Sequence, residues 1–331
     1  MVRRIAVDAM GGDFGPDVII QGALAGARRF DASLLLVGTP SEIAQSVDRH
    51  DCSRVDVDVI EATDVIAMDE HPAQAVRRKP ESSINVATRL ILDGHADAMV
   101  SAGNSGAVMA GALMQLGRVK GIERPAIASY LPTASSNTLL LDLGAVTDPK
   151  PSVIVQFAVM GQVYAERVLR IRNPTIGLLS NGEEPSKGNA LVQAVHPLLV
   201  AAADLNFVGN IEGKDLVKGT VDIVVTDGFT GNVALKTAEG VAAMLVDVLR
   251  AEITATIPRK LGGLLLRPAF HALRSKLDYA EIGGAPLLGV NGVVIISHGR
   301  SSAKAVENAV GVAVRSANHD LAGGIAERFA T

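Results

Sequence analysis

Tryptophan is absent from this chain, and aromatic residues make up only 3% of it, so its core cannot rest on large rings. Hydrophobic residues still reach 48%, which predicts a core of aliphatic side chains and alanine. A single cysteine, Cys52, excludes an internal disulfide framework and fits a reducing compartment. Asp48, Asp51 and Asp56 lie close to it in sequence, and carboxylates oppose thiolate formation, so it is a poor nucleophile. No apolar run reaches the ~18 residues that span a bilayer. The opening MVRRIAVDAMGGD passes straight into a strand and a turn rather than a signal peptide, so a cytoplasmic protein is expected. A net charge of -4 argues against general nucleic-acid binding. There is no G-x-G-x-x-G after a strand, no G-x-x-x-x-G-K-[ST] and no G-x-S-x-G. The 7 histidines form no i, i+4 pair and have no partner cysteines, so no metal site is expected. What remains is a chemistry of anion binding and polarisation, with no metal, nucleotide cofactor or covalent nucleophile.

Glycine, by contrast, is plentiful at 33 residues, and it falls in turns between strands and helices. Val221 to Glu239 reads VDIVVTDGFTGNVALKTAE. The β-branched Ile223, Val224 and Val225 predict a buried strand. Asp227 to Asn232 is a turn, and Val233 to Leu249 a helix with Thr230 as its N-cap. Free N–H groups at such a helix start attract an anion. Asn232 and Lys236, at i and i+4, would then lie on one face beside it. The plainer alternative is a tight corner with a solvated lysine. Asp97 to Leu116, DAMVSAGNSGAVMAGALMQL, repeats the pattern: Gly103 matches Gly228, Ser105 matches Thr230 and Gly106 matches Gly231. If the two helix starts face one crevice, that crevice holds an anion.

Other strand–turn–helix units begin at Arg4, Leu34, Val55, Leu139, Ile176, Asn206 and Gly292. The alternation predicts an α/β protein: a mostly parallel sheet with helices on both faces, two lobes and a cleft, all within one domain spanning 1–331. Arg77-Arg78-Lys79 before Pro80 is either an anion clamp or a solvated helix end. Residues 252–278 break the rhythm. Arg259, Lys260, Arg267, Arg274 and Lys276 accompany Leu264-Leu265-Leu266, which predicts a protruding amphipathic arm. It serves either a second subunit or an acidic partner or membrane surface.

AVDAMGGDFGP (6–16), SAGNSGAVMAG (101–111), RPAIASYLP (124–132), NGEEPSKGN (181–189), NFVGNIEG (206–213), TDGFTGNVALKTAEG (226–240) and GGAPLLGVNGVVIISHGRSS (283–302) together resemble the bacterial phosphate acyltransferases, also called acyl-ACP:phosphate transacylases. The motifs occur in the family's order and cover nearly the whole chain. The resemblance implies attack of inorganic phosphate on the thioester of fatty acyl carrier protein, giving acyl phosphate for phospholipid synthesis. It implies a homodimer with a fold like isocitrate and isopropylmalate dehydrogenases and phosphotransacetylases. A membrane glycerol-phosphate acyltransferase would consume the product, which adds the membrane surface as a site of peripheral association. Two departures stand out: Val146 where the family usually has asparagine, and Ser105 where it often has threonine.

On this reading phosphate sits over Gly103, Asn104, Ser105 and Gly106 and over Gly228, Thr230 and Gly231. Lys236 and Lys187 supply cations, with Asn189 in the Lys187 loop. Asn104 and Asn232 orient the phosphate or hold the thioester oxygen. His298 either moves a proton or closes its own turn. Asp8 and Asp227 either form turns or accept a proton from phosphate. Glu183 and Glu184 brace their loop. Arg259, Lys260 and Arg267 dock the acidic carrier protein. The rivals are a phosphotransacetylase using coenzyme A thioesters, a metal- and NAD-dependent decarboxylating dehydrogenase, and a non-catalytic membrane scaffold.

Overall fold

The computed structural model describes residues 2–133, 137–270 and 283–330. Strand β1 (Arg3–Asp8) carries Ile5, Ala6 and Val7, all fully buried, as a strand covered on both faces requires. Helix α1 (Pro16–Phe30) returns the chain to β2 (Ala32–Gly38), and α2 (Pro40–Val47) leads to β3 (Val57–Glu61). Both helices take proline in the first turn, where its missing N–H leaves nothing unpaired. Helices α3 (Pro72–Arg78) and α4 (Ser83–Leu92) precede β4 (Ala98–Ser101), and α5 (Ser105–Gln115) follows it. Arg77 and Arg78 are exposed at the end of α3, and Lys79 pairs with Glu70 at 2.6 Å. The three cations are thus a solvated helix end rather than a clamp.

The second half contributes β5 (Ala126–Pro132), β6 (Asn137–Leu141), α6 (Pro151–Arg167), β7 (Thr175–Ser180), α7 (Ala190–Ala201), β8 (Asn206–Glu212), α8 (Gly213–Leu216), β9 (Ile223–Val225), α9 (Gly228–Thr254) and α10 (Ile257–Leu265). The chain then rejoins the first half through β10 (Ala285–Leu288), β11 (Val294–Ile296), α11 (Ala303–Asn318) and α12 (Leu321–Phe329). One 11-stranded sheet results, in the order β3-β2-β1-β4-β11-β10-β5-β6-β9-β7-β8. The expected α/β architecture, with a mostly parallel sheet covered on both faces, is what forms. Ile5 and Val7 pack with α1 and α11 on one face, Ala6 and Met99 with α4 and α5 on the other. The second block repeats this: Leu139 and Leu141 join the α6 side, Leu140 and Val224 pack under Leu235 of α9.

The sense of the strands decides where turns can meet. From β3 to β11 all neighbours are parallel. The pairs β11–β10, β10–β5 and β5–β6 are antiparallel, and β6, β9, β7 and β8 are again parallel to one another. Three reversals leave the second block running opposite to the first. The carboxyl ends of β1, β4 and β11 therefore lie at one edge, and those of β6, β9 and β7 at the other.

Helices α1 and α11 touch through glycine. A Cβ at Gly22 would lie 2.3 Å from the Ala303 carbonyl oxygen, and one at Gly26 would lie 2.7 Å from Val310 Cβ. Gly22→Ala is therefore expected to destabilise the protein by about 1–2 kcal/mol, the strain of overpacking exceeding the ~1 kcal/mol that alanine gains in a helix. The midpoint of urea unfolding checks it; an unchanged or higher midpoint would show that α11 shifts at no cost.

Candidate active site

The first mouth opens where β1, β4 and β11 end side by side, with Asp8 opposite Ser101 and Ser101 opposite Ile296. Asp8 is buried. Its carboxylate accepts from Ser101 Oγ at 2.6 Å and from the Met10 N–H at 3.2 Å. Burial pushes this carboxyl above the usual range, while hydrogen bonds from Ser101, Ser83, Met10 and Gly11 pull the other way. The Gly103 N–H in turn donates to Ser101 Oγ at 3.1 Å. A Cβ at Gly11 would lie 2.6 Å from the Gly103 nitrogen, so two loops meet backbone to backbone over Asp8. Asp8 is a brace for this mouth.

Asn104 caps α5, its Oδ1 accepting from Ala107 N–H at 3.1 Å. Its Nδ2 donates to the carbonyls of Ala67, Met68 and Glu70 at 3.1–3.3 Å. Both ends of the amide are engaged, so Asn104 holds the 67–70 loop over the mouth instead of reaching for a ligand. The N–H groups of Ser105 and Gly106 in the first turn of α5 have no partner among the described residues. Ser105 is exposed, while Pro72 covers Gly106, 2.6 Å from where a Cβ would stand. Across the mouth, His298 is exposed and its Nδ1 accepts from the Arg300 N–H at 3.1 Å. That bond closes the turn, as one of the two alternatives held. The hydroxyls of Ser297 and Ser301 are buried beside it without a partner among the described residues.

The second mouth lies at the opposite edge, where β6, β9 and β7 end. Asp227 caps α9, its Oδ1 accepting from the Thr230 N–H and its Oδ2 from the Thr230 hydroxyl, at 2.8 and 2.7 Å. The expected cap, Thr230, is thus the third helical residue; the longer reach of the aspartate three residues earlier wins the orphan N–H. Helix α9 begins at Gly228, earlier than the pattern from Val233 predicts. The Gly228 N–H donates to Val146 O at 2.8 Å and the Gly231 N–H to Asp227 O at 2.9 Å. Much of this helix start is thus satisfied from within. Asn232 and Lys236 share an exposed face, and Lys236 pairs with Glu239 at 2.8 Å. Lys187 is exposed on the β7–α7 loop, and Asn189 caps α7 by accepting from the Val192 N–H at 2.9 Å.

The single crevice expected over both turns does not form within one chain. Gly103–Gly106 and His298 come together; Asp227–Asn232, Lys236, Lys187 and Asn189 gather elsewhere. The antiparallel strands β10, β5 and β6 reverse the second block, and the 11-residue α5 extends about 16 Å away from the first mouth.

Sequence reasoning missed Asp142, the brace of the second mouth. It is fully buried; its Oδ1 accepts from the N–H groups of Ile127, Leu143 and Ala145, and its Oδ2 from that of Val146. Gly228 and Gly231 pack against it so closely that a Cβ at Gly231 would lie 2.0 Å from the Asp142 carbonyl oxygen. An aspartate closing an apolar strand, as in IAVD and LLLD, is the signal Asp8 and Asp142 share. The carboxylates of Glu183, Glu212 and Asp215 also approach within 4.8 Å of one another. Lys214 pairs with Glu183 at 3.4 Å and with Glu212, setting a cation against this cluster. Arg259, Lys260 and Arg267 are exposed, with Arg259 paired to Glu252 at 2.6 Å. Arg274 and Lys276 lie outside the described residues.

A family model described as "Fatty acid synthesis protein" matches residues 3–323. The phosphate acyltransferase of Desulfitobacterium hafniense (strain DSM 10664 / DCB-2) is 54% identical over 311 residues, covering 94% of this chain and 92% of that one. Among solved structures, a phosphotransacetylase from Streptococcus pyogenes superposes with a TM-score of 0.66 at 17% identity, covering 96% of this chain and 94% of its own. A 4-hydroxythreonine-4-phosphate dehydrogenase from Klebsiella pneumoniae gives 0.54 at 16% identity, covering 95% and 99%. The fold is thus one that phosphotransacetylases share with a dehydrogenase. With whole-length relatives of this kind the protein is an acyltransferase, one that moves an acyl group to phosphate. The chain belongs to the phosphate acyltransferase family of lipid biosynthesis.

Proposed function

We propose that the acyl donor is fatty acyl carrier protein and that the product, acyl phosphate, supplies phospholipid synthesis. The observation that carries this reading is the first mouth. Two unpaired N–H groups at the start of α5, those of Ser105 and Gly106, stand at the carboxyl end of β4, beside the turn after β11 that carries the exposed His298. Such a set suits a tetrahedral anion. Phosphate is itself the nucleophile: its oxygen bonds to the acyl carbon, the carbon–sulfur bond breaks, and the thiolate leaves with a proton from phosphate or water. Donors at the carbonyl oxygen lower the barrier, each removed donor costing roughly 10²–10³ in rate in other enzymes.

Asn232, Lys236 and Asp227 reach the same phosphate only across a subunit interface, because one chain opens its two mouths at opposite edges. The homodimer we propose is built on α9, which buries only Gly228, Gly231 and Leu235 of its 27 residues. Val233, Val241, Met244, Leu245 and Val248 leave an apolar stripe along it. Helix α10 adds exposed Ile257, Leu261, Leu264 and Leu265 beside Arg259, Lys260 and, just beyond it, Arg267. These are the groups an acidic carrier protein and an anionic membrane surface would meet. No helix among the described residues is long and apolar enough to cross a membrane. A cytoplasmic protein with peripheral membrane contact is the corresponding location.

The test is thiol release from acyl carrier protein with and without inorganic phosphate. Release that requires phosphate and yields one acyl phosphate per thiol is expected. Release without phosphate would sink the transfer reading, and equal kcat/KM with acyl coenzyme A would favour the phosphotransacetylase alternative.

A further inference from the structure

A cavity of about 580 Å³ lies between the two blocks, away from the first mouth. Its volume falls within the range of small-molecule sites. Leu113 from the end of α5, Val146 from the β6–α6 loop and Val153 from α6 form an apolar wall. Arg118, Arg124 and Lys150 stand around it. The Arg118 guanidinium donates to the Glu123 carbonyl, and the Glu123 carboxylate accepts from Ser152 Oγ at 2.9 Å. Arg124 and Lys150 form no hydrogen bond or ion pair through their side chains among the described residues, and of the two acids only Asp148 is left unpaired.

Each candidate ligand makes a different demand on these groups. Inorganic phosphate would use the cations but leave most of the volume empty. A fatty chain would fill the volume but lie against charged groups. A phosphate ester on a long, uncharged amide chain satisfies both demands. Its phosphate meets Arg124 and Lys150, its branched hydrocarbon rests on Leu113, Val146 and Val153, and its amide and hydroxyl hydrogens have Asp148 to accept them. The direction is set by Val146, which lines the cavity and accepts at its carbonyl from the Gly228 N–H at 2.8 Å. A chain lying along this wall ends at the second mouth.

We infer that the cavity holds the phosphopantetheine chain of the thioester donor, with Arg124 and Lys150 reading its phosphate and Val146 leading its sulfur to the start of α9. The inference rests on a thioester donor, and phosphopantetheine is common to acyl carrier protein and coenzyme A. Both cations are exposed, so Arg124→Ser with Lys150→Ser leaves the fold intact.

Calorimetric titration with 4′-phosphopantetheine and with phosphate-free pantetheine tests binding without any transfer. The wild type is expected to bind the phosphorylated form at least tenfold more tightly, and the double variant to bind both alike. In turnover the variant is expected to raise KM for acyl carrier protein at least tenfold, with kcat and KM for inorganic phosphate unchanged; a parallel rise with acyl coenzyme A identifies the shared chain as the group read, and a rise with one donor alone identifies which source the cavity serves. Equal binding of the two probes by the wild type overturns the inference, as does a variant whose KM rises for inorganic phosphate instead. Phosphopantetheine binding with no transfer from either donor would keep the inference and remove the proposed function. Transfer from acyl carrier protein with an unaltered donor KM in the variant would do the reverse.

Discussion

Asp142→Ala is expected to lower the unfolding free energy by about 4 kcal/mol, at the upper end for a single substitution. The side chain is fully buried and accepts four backbone N–H groups, from Ile127, Leu143, Ala145 and Val146. Each buried donor left without an acceptor costs about 1–3 kcal/mol, partly relieved where water enters the space. Asp142→Asn keeps Oδ1 and its three donors but turns an NH2 group toward the Val146 N–H, so a loss of about 1–3 kcal/mol is expected. Urea unfolding at neutral pH should rank the proteins wild type, Asn, Ala. Equal midpoints for Ala and wild type would mean that the loop is held by something else.

The pH dependence of that stability has a definite sign. Burial raises the Asp142 carboxyl above its ordinary value, with the four N–H groups opposing. A folded state that holds the proton more tightly gains stability that is complete below the unfolded value and is lost as pH rises through the folded one. The Asn variant lacks this contribution, so its stability should fall less than that of the wild type as pH is raised from about 4.

Mixing two inactive variants is expected to restore activity. His298→Ala alters the first mouth, and Asn232→Ala with Lys236→Ala alters the second. Each alone is expected to lose at least 100-fold in kcat/KM. If the working site joins the first mouth of one subunit to the second mouth of its partner, a hybrid dimer contains one site with both mouths intact. Random exchange makes about half the dimers hybrid, so about a quarter of wild-type activity should return. No recovery after verified subunit exchange would mean that both mouths act within one chain and would overturn the shared site. Near-wild-type activity of the Asn232/Lys236 variant would remove α9 from the mechanism.

Strand–turn–helix units, the aliphatic core and the glycine turns were all legible from the chain, because each rests on neighbours in sequence. Ile223 to Val225 is β-branched and buried, and Gly228 and Gly231 stand where their backbones approach other atoms too closely for a side chain. Family membership was legible for a similar reason: ordered motifs survive in one dimension. Cap identity was less so. Asp227 and Thr230 are both good caps, and only the path of the chain shows which one faces the free N–H.

Local patterns determined where anion-binding helix starts can form, but not which of them meet. That depended on β10 and β5, whose short runs carry no signal of strand direction, and whose antiparallel pairing sends the second block the opposite way. Asp142 became a brace, and Arg118, Arg124 and Lys150 became neighbours, by the same pairing. Sequence fixes the chemistry each loop carries through contacts a few residues apart; the relative position of the loops is set by sheet register over a hundred residues or more, and only the folded chain holds that information.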